Sequence, residues 1–310
     1  MKTNAQFSPG TSVYLDLLLS ETPPPPSSVR LDLTGPATNR DARHPGEREI
    51  KMRWDFYVRI IPQLVELGVD ELVLANLGDA FRCPWLSEAI VFAKQYFHFP
   101  RVVLRADILS PSVEQLEEAV GSGIDGLILN FNVSSSEWRT MAGEALAADS
   151  NYFMRKLESA MVAREKLFAR QGQRCQVYVA QLGTGTHLDD RLQQAITELT
   201  KAADHEYFEW LPEQQDLLGV ENAEAVPARD GKCHCWTPFT EAHVTADGYL
   251  NACRHDYFGS STVADLNQVT FSEAWHNKTY QHTRSGILLG RLEGTRCARC
   301  PIRSEYRPDA

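Results

Sequence analysis

Five of the seven cysteines in this 310-residue chain fall in its last quarter, at 233, 235, 253, 297 and 300. Thiols grouped this way read as metal ligands rather than disulfides where no secretion signal precedes them. The first residues, "MKTNAQFSPG", lack the charged start and apolar run of such a signal. Cys297 and Cys300 share one short turn, so both can face a single ion or cluster. The other clip is longer. "CHCWTPFTEAHVTADGYLNAC" reads as a strand, a turn at Asp247 and Gly248, and a returning strand, which brings Cys253 back beside Cys235. Four thiolates from two clips suit tetrahedral zinc or a [4Fe–4S] cluster. Seventeen residues separate Cys235 from Cys253, which is looser than the paired short knuckles of a zinc ribbon. Cys233 is an alternative to Cys235 as a ligand.

A second candidate lies near the other end. "VRLDLTGPATNRDARHP", residues 29 to 45, is an alternating strand running into a loop that carries Arg40, Asp41, Arg43 and His44. Loops that follow buried strands are where α/β proteins keep their chemistry. This one holds no thiol. The remaining polar candidates are weaker. "LGTGTH" (182 to 187) reads as an ordinary loop, with His187, Asp189 and Asp190 on its rim and an N-cap role for one of the aspartates. His243 and His255 flank the cysteine segment and are expected in surface or supporting roles. Cys175 reads as a buried free thiol, and Cys83 stands alone. No nucleophile elbow, P-loop or H-E-x-x-H is present.

The elements that must position these residues follow from periodicity. "VRLDL", "ELVLANLG", "RVVLRADI", "GLILNFN" and "QVYVAQL" read as strands, with "YFEWL" a weaker sixth. Amphipathic helices separate them: "WDFYVRIIPQLVELG", stopping at Gly68, then "WLSEAIVFAKQYF", "SVEQLEEAVGSG", the long "NYFMRKLESAMVAREKLFARQG" after a polar loop, and "DRLQQAITELTKAA". Alternation without hairpins means parallel βα units. Periodicity alone leaves an open doubly wound sheet and a full or partial barrel as alternatives. Residues 1–28 form an N-terminal extension with a stiff four-proline linker. Residues 29–229 form the α/β unit, 230–303 a small cysteine-rich domain, and 304–310 a tail. Within that small domain, "TFSEAWHNKTYQHTR" reads as one helix opened by a Thr270/Glu273 capping box.

Composition narrows the partners. A net charge of −10 argues against nucleic acid, which needs clustered Lys and Arg. No apolar run approaches the roughly 18 residues of a membrane span, so the expected compartment is the cytoplasm.

The cysteine spacing resembles a known module. Cys235, Gly248, Cys253 and then Cys297-x-x-Cys300, with "VADLNQVTFSEAWHNKTYQHTR" between, are similar to the twitch form of the SPASM domain, which follows the barrel of many radical S-adenosylmethionine (SAM) enzymes. "LVLANLGDAFRCPWLSEAI", "VVLRADILS" and "GIDGLILNFN" follow the order of that family's barrel. The resemblance implies a partial parallel (β/α)6 TIM-like barrel followed by a SPASM/twitch domain with one auxiliary [4Fe–4S] cluster on Cys235, Cys253, Cys297 and Cys300. It also implies that the loop after the first strand should carry C-x3-C-x2-C to hold the SAM-binding cluster. Here those positions are Ala37, Asp41 and His44, which leaves one carboxylate and one imidazole, too few and too hard for a cubane. Gly78 and Asp79 stand where the family greets the SAM amino group, Asp79 replacing the usual Glu.

The chain is therefore expected to be a degenerate member of that family. Its role would be an accessory, scaffold or electron-relay partner in natural-product or peptide modification. It would work beside a competent radical SAM enzyme or on a peptide or small-molecule substrate, with SAM binding doubtful. Two alternatives stay open: a SAM-binding or redox enzyme that dispenses with the first cluster, and a zinc-stapled structural module.

Overall fold

The computed structural model describes residues 23–36, 49–133, 135–182, 188–209, 235–256 and 259–289, with 291–293, 295 and 297. Six parallel strands form the main sheet: β1 (Ser28–Leu31), β4 (Glu71–Leu74), β5 (Arg101–Asp107), β6 (Gly126–Asn132), β7 (Gln176–Leu182) and β8 (His205–Glu209). They lie side by side in chain order, each paired parallel with the next. Between β1 and β4 the chain makes β2 (Thr34–Pro36) and β3 (Glu49–Lys51), a short antiparallel pair at the base of the loop after β1. This order is that of a partial (β/α)6 barrel.

Alternation along the strands gives the sheet two characters. Leu31, Leu74, Leu104, Leu129 and Val179 face the helices and belong to one continuous core. The opposite set faces inward and is largely polar. Arg30, Arg105, Asn130 and Tyr178 lie there, and Arg101 bonds Glu71, Gln176 and Tyr178 across three strands. The helices cover the outer face: α1 (Trp54–Leu67), α2 (Leu86–Val91, widened into a π-turn over 92–96), α3 (Val113–Gly121), α4 (Ser136–Ala148), α5 (Tyr152–Gln171) and α6 (Asp190–Ala202). Helix α1 buries Phe56, Tyr57, Ile60, Ile61 and Leu64, and ends at Gly68 in the left-handed conformation. It runs on through Pro62.

Two elements differ from the periodicity reading. Helix α4 occupies what reads as a polar loop, because Ser, Ala and Gly give it little amphipathic contrast. Ser135 caps it, accepting from the Trp138 N–H, and only Trp138, Ala142 and Leu146 are buried. The segment read as one helix after Thr270 is two, α8 (Phe271–Trp275) and α9 (Lys278–Leu288). Asn277 starts the second by accepting from the Tyr280 N–H, while the Thr270/Glu273 capping box is present on the first.

The cysteine-rich region continues the barrel sheet. After the short helix α7 (Thr237–Thr240), β9 (Glu241–Val244) pairs parallel with the free edge of β1. Next, β10 (Tyr249–Asn251) and β11 (Thr262–Asp265) extend the sheet antiparallel. Trp275, fully buried, donates from Nε1 to Pro24 O at 2.8 Å and so ties this region to the proline segment.

The β9–β10 turn depends on Gly248, whose φ is +88°. A Cβ there would stand 2.7 Å from Asn267 Nδ2 and 2.9 Å from Phe56 Cε2. Gly248→Ala is expected to cost about 2 kcal/mol, combining left-handed strain with displacement of Asn267. Urea unfolding checks this, and a loss too small to resolve would contradict it.

Candidate metal centre and barrel mouth

The mouth is organised by one acid. Asp32 follows β1 at the C-terminal end of the barrel and is 2% exposed. Its Oδ1 accepts from the N–H groups of Asn76 (2.6 Å), Leu77 (2.9 Å) and Gly78 (3.3 Å). Its Oδ2 lies 2.7 Å from Nε2 of His243, an equally buried residue on β9. The loop after β4 is thus clamped onto β1, and β1 onto the cysteine-rich hairpin. Asn76 Nδ2 adds a bond to Arg254 O at 2.7 Å, one residue past Cys253.

Gly78 is required by close approach. A Cβ there would fall 1.6 Å from Thr34 O, and Thr34 Oγ1 also donates to Asp79 O at 2.7 Å. The Asp79 carboxylate is engaged inside the protein: Oδ1 accepts from the Phe81 N–H at 3.0 Å, and Oδ2 bonds the Ser110 hydroxyl. Ala37, Asp41 and His44 lie outside the described residues, as does His187. Asp189 caps α6, accepting from the Leu192 N–H.

Periodicity did not single out a second polar group at the mouth. Asp107 ends β5, and its Oδ1 accepts from Trp138 Nε1 and from the Leu109 N–H, both at 2.9 Å. Burial raises its pKa, opposed by those two bonds. Behind it, the buried Lys156 on α5 donates to Ile108 O at 2.6 Å and lies 4.5 Å from the Tyr152 ring centre. The only sequence trace of either is a charge at the end of an apolar strand or within a helix's buried stripe.

Of the expected metal ligands, Cys235, Cys253 and Cys297 are described, whereas Cys300 and Cys233 lie outside the described residues. All three are partly buried. Cys235 and Cys297 lie against the same apolar patch of Phe239, Ile287 and Leu292. Cys253 is near Tyr280, whose pKa is raised mainly by burial, with the Cys253 charge adding to it. The buried face of α9, carrying Tyr280, Arg284 and Ile287, is therefore the spine to which these segments attach. Among the described residues no group of three potential ligands closes on one point. The donors are nonetheless of the right kind: soft thiols, half-shielded from water, fit an iron–sulfur cluster in chemistry. Cys83 and Cys175 do not join them. Both are buried, and burial pushes their thiols up to about 11 and about 12. His243 and His255 are committed locally, His243 to Asp32 and His255 to Arg254 Nε at 3.1 Å.

Residues 233–301 match the SPASM family, an iron–sulfur cluster-binding domain. The whole chain resembles several solved structures. BtrN in complex with AdoMet and 2-DOIA superposes with a TM-score of 0.52 at 12% identity, over 88% of this chain and 91% of BtrN. Streptococcus suis SuiB bound to the precursor peptide SuiA gives 0.52 at 12%, over 95% and 79%. The tagged enzyme anSMEcpe with bound AdoMet gives 0.52 at 10%, over 92% and 88%. No curated protein matches the sequence. At these identities the solved structures share the fold. The chain thus combines the partial barrel of radical SAM enzymes with a C-terminal SPASM domain. No helix among the described residues is long and apolar enough to cross a membrane.

Lys156 gives a pH signature. Burial pulls its ammonium down to about 8 from an ordinary 10.5, with Asp107 opposing. Between those values the unfolded chain holds a proton that the folded chain has released, so this residue makes stability rise with pH. Unfolding of wild type and Lys156→Met in urea at pH 7.5 and pH 10 should show wild type gaining on the variant as pH rises. A difference independent of pH would contradict the assignment.

Proposed function

We propose that this chain is an accessory or electron-relay partner built on the radical SAM fold. It holds one auxiliary [4Fe–4S] cluster through Cys235, Cys253, Cys297 and Cys300, with Cys233 as the alternative to Cys235. The observation that carries the reading is the uneven placement of sulfur. Four thiols lie in the SPASM-matching segment at the family's spacing, while positions 37, 41 and 44 offer alanine, aspartate and histidine. The mouth supports it, because both oxygens of Asp79 are already spent on Phe81 and Ser110 and no longer offer the SAM amino group an open carboxylate.

When bound, such a cluster supplies one-electron storage. The protein's part is to anchor it and to present a barrel face beside it. The Asn76–Arg254 bond and the Asp32–His243 pair hold the Cys253 segment against the loop at the barrel mouth, fixing the separation between the two sites. A peptide or small molecule in a modification pathway is the partner class we favour. SuiB, of the same fold, is seen with a precursor peptide, and the inner face here is polar rather than sealed with aliphatic side chains. A SAM-binding role without radical chemistry is the second reading, favoured by the AdoMet found in BtrN and anSMEcpe.

Oxygen-free purification followed by iron, sulfide and zinc analysis is expected to give about four irons and four sulfides per chain. Cys297→Ala and Cys300→Ala should abolish them, whereas Asp41→Ala and His44→Ala should leave metal content unchanged. Zinc in place of iron would establish the stapled module instead. Reductive cleavage of SAM by the isolated chain would overturn the accessory role.

A further inference from the structure

Among the described residues, three buried side-chain nitrogens have no hydrogen-bond partner: His243 Nδ1, Asn251 Nδ2 and Arg284 Nη2. All three belong to the SPASM domain. Buried polar groups in native proteins are satisfied as a rule, and clustered exceptions point to something that the protein atoms alone do not supply.

Arg284 is the most demanding of them. Its side chain is 1% exposed, and no carboxylate among the described residues pairs with it. What surrounds it is neutral. Nε donates to Pro238 O at 2.8 Å and Nη1 to Trp275 O at 2.9 Å. The guanidinium carbon lies 4.0 Å from the Trp275 ring centre and 3.9 Å from that of Tyr280. Two carbonyls and two aromatic faces ease the loss of water, but a buried charge without a counter-charge remains costly. Burial accordingly holds the Arg284 pKa below the usual arginine range, with Tyr280 opposing.

Its position says which anion is missing. Pro238 stands three residues past Cys235. Tyr280 senses the charge of Cys253. Ile287, one helical turn beyond Arg284, belongs to the patch touched by Cys235 and Cys297. The guanidinium is thus held between the segments that carry all three described ligands.

We infer that Arg284 is the internal counter-cation of the auxiliary iron–sulfur cluster, offsetting the negative charge of thiolate ligation and favouring the reduced state. The inference rests on the cluster reading above. A fixed positive charge in a poorly solvated site stabilises the more negative oxidation state, so it raises the reduction potential. A purely structural arginine, holding two carbonyls and two rings, would leave the potential where it is.

The test is an EPR-monitored redox titration of the full chain, purified without oxygen, as wild type, Arg284→Gln and Arg284→Lys, with iron and sulfide measured on each sample. Iron in the wild type establishes the cluster reading independently of Arg284. The Gln variant, lacking the charge, should shift the oxidised-to-reduced equilibrium at least tenfold toward the oxidised form, 59 mV for a one-electron couple. The Lys variant should stay close to wild type. An unchanged potential in a cluster-bearing Gln variant, or equal shifts in Gln and Lys, would overturn the inference. If the Gln variant fails to hold iron, the Lys variant decides: retained iron supports the counter-cation, and its loss overturns it.

Discussion

Asp32 spends one carboxylate oxygen on three successive amides of the loop after β4 and the other on the imidazole of His243. Through that one side chain the first barrel strand, the loop beside it and the SPASM hairpin become a single unit. Removing one partner from a buried charged pair costs about 3–5 kcal/mol, because the group left behind stays desolvated and unpaired. Neither the loop nor the hairpin can leave β1 without incurring that cost. The parallel pairing of β9 with β1 depends on the same contact, since Arg30 and His243 are register partners just below the clamp.

This arrangement explains why the two ends of the chain read so differently while folding as one sheet. At the barrel mouth, polar groups are turned on each other: Asp79 on Ser110, Asp107 on Trp138, Lys156 on the carbonyls after β5. At the SPASM end, the thiols share an apolar patch and a buried arginine has no anion beside it among the described residues. The first environment is closed and satisfied. The second is charged and incomplete without a ligand. The chemistry of the chain accordingly belongs to its carboxyl-terminal part, with the barrel serving as the rigid body that positions it.

Much of this was legible in the sequence. Strands and helices with strong periodicity were placed correctly, from "VRLDL" to "DRLQQAITELTKAA", because burial on one face imposes the pattern. The cysteines were legible because soft donors at short spacing have few other uses. What escaped had physical reasons. Helix α4 is built from small residues that give little contrast between faces, and Asn277 interrupts a helix with a cap that also reads as an ordinary helix-surface polar residue. The Asp32 clamp joins residues 32, 76 and 243, a meeting that only the assembled sheet brings about. Its single trace was an acid at an inward position of an apolar strand. Arg284 looked like the basic end of a helix; its burial shows only when α7, α8 and α9 are brought together.

The central claim is that the molecule carries one cluster, at its SPASM end, and none at the barrel mouth. EPR spectra of the reduced chain recorded with and without SAM test it most directly. The account predicts a single cluster signal that SAM leaves unaltered. A second signal, or one that changes shape when SAM is added, would contradict it.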